Sequence, residues 1–159
     1  MSERAEELAR RFERVIGQLL AAAERCSDAQ WRAVCAAEGQ SIGETVHHVA
    51  HWFPPELERI ELLAAGRELP YLNAAMIDRE NARHAGRYTG CAREETTALL
   101  RRNAATVAAA IRSLGDEQLD RVGQYLEGGT VGPVEVLVER VLIAHPREHL
   151  ASIRATIGG

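Results

Sequence analysis

An all-α fold, a four-helix bundle with a long crossover between its second and third helices, is predicted by three observations. Alanine supplies 26 of 159 residues while Phe, Trp and Tyr together supply 4%, and alanine is the best helix former because burying it costs no side-chain entropy. Four long stretches carry apolar residues at i, i+3, i+4 spacing. A stretch of more than twenty residues separates the second from the third, which is the mark of a crossover bundle. With no repeat, low-complexity tract or linker, residues 1–159 are expected to form one domain.

The first helix opens at Ser2, an N-cap, and carries Leu8, Phe12, Val15, Ile16, Leu19 and Ala23 on one stripe. A connector follows to Gln40, with Trp31 expected as a plug under the loop. Ser41-Ile42-Gly43-Glu44 has the capping-box form. It starts a second helix towards Gly66, with Ile42, Val46, Val49, Phe53, Leu57 and Ile60 on one face. Pro54-Pro55 predicts a kink or break, because proline removes a backbone donor and crowds the preceding turn. Residues 67–90 form the crossover, with a short helix from Asn73 to about Ala85. The third helix takes about 92–114, with Leu99, Leu100, Val107 and Ile111, and Gly115 stops it. Residues 116–131 read as a loop, and the fourth helix runs from Pro133 at N1 to Ile157, interrupted at Pro146.

All 19 basic residues are arginine. Chemistry that needs lysine, such as a P-loop or a Schiff base, is thereby excluded. A net charge of −4 argues against nucleic acid as a partner, and no apolar run is long enough to span a membrane. The charged N-terminus does not resemble a secretory signal. Cys26, Cys35 and Cys91 form no C-x-x-C pair and read as free thiols in a reducing cytoplasm.

Five of the six histidines lie in two short clusters: His47, His48 and His51 on the second helix, His145 and His149 on the fourth. The i, i+4 spacing of His145 and His149 puts both on one face, as needed to offer two imidazoles to one ion. They continue the stripe of Val134, Val138 and Val141, so they face the core, where two unpartnered imidazoles would be costly. On a helical wheel His48 falls about 100° from the apolar centre of the second helix, which makes it the candidate third ligand. His47 and His51 fall nearly opposite that centre and are expected as a pair on a solvent face. Glu148 and Glu44 are candidates to orient a ligand or act as a base, with surface solvation as the alternative. Three neutral histidines leave a coordination position open, as in catalytic rather than structural zinc sites.

The segments Ser41–Ala50, SIGETVHHVA, and Ala144–Arg154, AHPREHLASIR, resemble the second-helix and last-helix motifs of the DinB/YfiT-like superfamily. Ile77-Asp78-Arg79-Glu80-Asn81-Ala82 is similar to the family's Asp-x-x-Asn stretch. The resemblance implies an up-down-down-up bundle and a metal centre at His48, His145 and His149. It implies zinc or nickel as the ion, thiol-dependent transferase or isomerase activity with mycothiol or bacillithiol as cosubstrate, or metal-dependent hydrolase activity. A small-molecule substrate and a homodimer follow from the same likeness. Asp78 and Asn81 are expected either to anchor the crossover or to touch substrate. A non-catalytic metal- or ligand-binding module, and a structural homodimer with a decayed site, are the alternatives to an enzyme.

Overall fold

Ser2 caps the first helix in the computed structural model, which describes residues 1–158, by accepting from the Ala5 amide. This helix, α1, spans Glu3–Arg25 and buries the expected stripe from Leu8 to Ala23. A short α2 (Asp28–Arg32) and a ribbon of β1 (Val34–Cys35) against antiparallel β2 (Gln40–Ser41) fill the connector. Trp31 is buried and its indole N–H donates to the Cys91 carbonyl at 2.9 Å. The ring lies so close over Gly43 that a Cβ there would come within 2.5 Å of it. Glycine is therefore required on the first turn of the helix that follows.

That helix, α3, spans Ile42–Ala64 without a break. Its capping box is complete: Ser41 Oγ accepts from the Glu44 amide at 3.1 Å and Glu44 Oε2 from the Ser41 amide at 2.7 Å. Of the kink or break expected at Pro54-Pro55, the break does not occur. Pro54 leaves the Ala50 carbonyl without its helical donor, and the side-chain amide of Asn103, on another helix, donates to that oxygen at 2.8 Å.

The crossover carries α4 (Ala74–Arg87), close to the expected span, with Asn73 outside it as N-cap. The third long helix, α5, spans Arg93–Ser113. Residues 116–131, expected as loop, hold a short α6 (Asp116–Leu119) and most of a hairpin of β3 (Val122–Gln124) and β4 (Val131–Pro133). Two-residue and three-residue strands are too short to show a period-2 pattern.

The last helix comes in three joined parts, α7 (Val134–Val138), a π-helical turn (Glu139–Ala144) and α8 (His145–Gly158), with Pro133 as N-cap rather than N1. The interruption expected at Pro146 is this π turn. The His145 amide bonds the Arg140 carbonyl, five residues back. The widened turn shifts the register by one residue immediately ahead of the proline, so the rod continues through a residue that has no N–H to give.

The long helices form a ring in which α1 packs on α5 and α8, and α3 packs on α5 and the last helix. Phe12 and Phe53 meet edge to face at its centre, 5.4 Å between centroids. Arg59 of α3 ties down the loops at one end. It donates to the Pro70 carbonyl at 2.9 Å and to the Tyr125 carbonyl at 3.0 Å, while the Glu127 amide bonds the Leu72 carbonyl at 2.8 Å. No helix of the described residues is long and apolar enough to cross a membrane.

Candidate metal centre

The side chains of His48 from α3 and of His145 and His149 from α8 converge on one point. Ring centroids are 4.5 Å apart for His145–His149, 5.0 Å for His48–His149 and 5.9 Å for His48–His145. One nitrogen from each ring lies within 4.8 Å of the other two. Nitrogens bound about 2.0–2.1 Å from a tetrahedral ion lie about 3.3 Å apart. That value lies within this limit, and His149 Nε2 and His145 Nε2 are in contact at 2.9 Å.

The protons can be assigned from the partners. Glu38 Oε1 lies 3.0 Å from His149 Nδ1 and can only accept, so His149 carries its proton on Nδ1 and turns the Nε2 lone pair inward. This is the carboxylate–histidine pairing that fixes the tautomer of a metal ligand. Glu38 comes from the turn between β1 and β2, far away in sequence. For His145 to offer Nε2 as well, its proton must sit on Nδ1, the side that faces Glu56 Oε1 at 3.9 Å. Burial, and then the neighbouring imidazoles, push the His48 pKa down to about 3, and burial lowers His145. These two rings are neutral at pH 7, and neutral imidazole is the form that binds an ion. The all-imidazole donor set, with His48 and His149 buried and His145 half-exposed, fits a divalent first-row ion.

The centre opens on a cavity of about 580 Å³ between α3, α4, the hairpin and the last helix. Trp52, Leu62, Leu72, Ile77, Tyr125 and Val141 give it an apolar lining, and His48, His145 and Glu56 stand on its wall. The Glu56 side chain is only 14% exposed, and burial raises its pKa well above the usual carboxylate range. Trp52 Nε1 is buried without a hydrogen-bond partner.

Other sequence candidates fall in different places. Glu44 is used in the capping box, and Glu148 is exposed on the cavity rim. Asn81 reaches the cavity while Asp78 is exposed on α4. All three cysteines are free, and burial pushes the Cys26 and Cys91 thiols up, away from nucleophilic thiolate. His47 and His51 are not on a solvent face. The crossover helix α4 covers them, leaving His47 buried and His51 half-buried, with His84 beside them. A wheel drawn on one helix reports its apolar centre but not which element covers its far side.

A family model described as the DinB superfamily matches residues 11–153. The chain belongs to the DinB superfamily. Among solved structures this DinB chain is similar to YfiT from Bacillus subtilis, described as a probable metal-dependent hydrolase with an unusual four-helix bundle topology. The identity is 21%, over 98% of this chain and 87% of that one, with a TM-score of 0.72. An uncharacterized protein from Clostridium difficile 630 matches over 99% of this chain and 98% of that one, at 16% identity and a TM-score of 0.77. The mycothiol-dependent maleylpyruvate isomerase matches at 13% identity and a TM-score of 0.68 over 99% of this chain, which spans only 62% of that enzyme. At these identities the likeness is one of fold. No protein of curated function matches this DinB chain in sequence.

Proposed function

We propose that this DinB-superfamily chain is a metal-dependent enzyme. It would act on a small electrophilic substrate in the cavity beside His48, His145 and His149, by thiol transfer or hydrolysis. The observation that carries the reading is the convergence of three imidazoles, two of them on the wall of an apolar cavity large enough for a small organic molecule. A divalent ion, zinc or nickel by the donor set and the family likeness, would supply Lewis-acid activation of a thiol or water. Three nitrogen ligands without a thiolate or carboxylate leave room for a reactant, as in catalytic sites.

The chain's own groups have definable tasks. Glu38 holds His149 in the ligating tautomer through its Nδ1–H. Glu56 faces both the cavity and the Nδ1 side of His145, where it can hold or pass a proton at Oε1. The apolar lining excludes water, which strengthens every charge interaction inside. The thiol-dependent alternative draws support from the mycothiol-dependent neighbour, the hydrolytic one from YfiT.

The test is elemental analysis of purified protein beside a His145→Ala/His149→Ala double variant, followed by turnover screens with low-molecular-weight thiols and with hydrolysable esters and amides. Zinc or nickel bound by the parent at this centre and lost in the double variant, with turnover lost alongside, is the expected result. A parent that binds divalent ions no better than the double variant overturns the reading.

A further inference from the structure

The crossover helix α4 is attached to the bundle in an unusual way. A surface helix is ordinarily held by an apolar stripe. In α4 the one fully buried side chain is His84, 3% exposed, while Met76, Ile77 and Ala85 are only half-covered. What receives His84 is not a hydrophobic pocket but two further imidazoles. His47 Nδ1 and His84 Nε2 are in contact at 2.8 Å, and the His51 ring lies 4.9 Å from His84. One nitrogen from each of the three rings lies within 4.8 Å of the others. Tyr88 stacks on His47 at 3.9 Å and closes the cluster from the end of the helix.

The close approach of His47 Nδ1 and His84 Nε2 has room for one proton between two nitrogens, and His51 brings a third imidazole to the same place. One shared ion would satisfy a lone pair from each ring, whereas the buried His84 Nδ1 lies on the other side of its ring and takes no part. Three imidazoles with no thiol or carboxylate among them are a donor set for zinc, nickel, cobalt or copper rather than for calcium or magnesium. The half-exposed edge at His51 gives an ion a way in.

We infer that His47, His51 and His84 form a second divalent-metal site, whose ion fastens the crossover helix to the bundle. It shares no ligand with the centre at His48, His145 and His149, although the His48 and His84 rings stand only 5.6 Å apart. Because α4 also carries Ile77, Glu80 and Asn81 on the cavity wall, an ion here sets the position of that wall without touching what binds inside it. The inference goes beyond the proposed activity and does not depend on it.

The experiment uses the full chain and Zn²⁺ itself as probe. Bound zinc is counted after loading and desalting for the parent, the His145→Ala/His149→Ala variant, a His51→Ala variant and a His84→Gln variant, each checked for helical content. Amide exchange over residues 74–87 is followed with and without zinc in the same proteins. The expected result is an equivalent of zinc that survives in the His145→Ala/His149→Ala variant and slows exchange in α4 by about tenfold or more. His51→Ala, at the half-exposed position where folding is least at risk, should abolish both effects, as should His84→Gln. Zinc content and exchange unaffected by His51→Ala and His84→Gln, or a His145→Ala/His149→Ala variant that binds no zinc, overturns the site. The second of these leaves the centre at His48 standing. Zinc retained by that variant but lost on His51→Ala supports this site whatever becomes of the other.

Discussion

Asn103 on α5 donates its side-chain amide to the Ala50 carbonyl at 2.8 Å, the oxygen that Pro54 deprives of a helical partner four residues on. The pairing ties two helices together where α3 has lost a backbone hydrogen bond to proline. Asn103→Ala should cost about 1–3 kcal/mol by leaving a part-buried carbonyl unmet. Pro54→Ala restores the backbone donor, so in that background the same substitution should cost much less. A double-mutant cycle by urea denaturation reads the difference. Equal costs in both backgrounds would show that Asn103 acts by packing alone.

Glu38 reaches the centre only through His149 Nδ1 at 3.0 Å. Removing such an outer partner typically weakens a metal site about 10–100-fold. Glu38→Ala should therefore lower zinc affinity at His48, His145 and His149 by that order, measured by chelator competition in the His51→Ala background. Glu38→Gln keeps an acceptor without the charge and should fall between. An affinity unchanged by Glu38→Ala would remove the glutamate from the centre's support.

Acid should destabilise the metal-free protein before its surface carboxylates titrate. Burial pushes His47 and His84 down to about 4 and His48 down to about 3, and it lowers His51 and His145 as well. Unfolded, these rings take up protons near pH 6.5. Below that pH the unfolded chain binds more protons than the folded one, so stability falls as pH falls from about 6.5 towards 4. Glu56, raised by burial, works in the opposite direction, but it is one group against five. The urea midpoint of chelator-treated protein should drop between pH 7.5 and pH 5. A flat midpoint would mean that the histidines are hydrated and ordinary.

Much of this architecture is legible in the chain, for reasons that are local. Ser2 and Ser41 are caps whose partners lie three residues away, and the imidazoles of His145 and His149 are brought together by the helix itself. The inward turn of His48 follows from its angle to Val46, Val49 and Phe53. What escapes is long-range. Glu38 lies in a short turn whose sequence gives no hint of His149, 111 residues away. His84 stands alone in the sequence, and only the packing of α4 over α3 sets it beside His47 and His51. The repair of Pro54 comes from Asn103, and a helical wheel with a fixed step has no way to display the π turn before Pro146.

That π turn gives one helix two rotational phases. Upstream, Val134, Leu137 and Val138 are set by the apolar core; downstream, His145 and His149 are aimed by the centre they share with His48. The extra residue of the π turn between Glu139 and Ala144 sets the phase of the second group against the first. Removing any single residue from this stretch would swing the imidazole pair by about 100° relative to the upstream face. Residue count therefore matters here beyond residue identity: deleting one codon would turn the imidazole pair away from His48 while leaving every histidine in the chain.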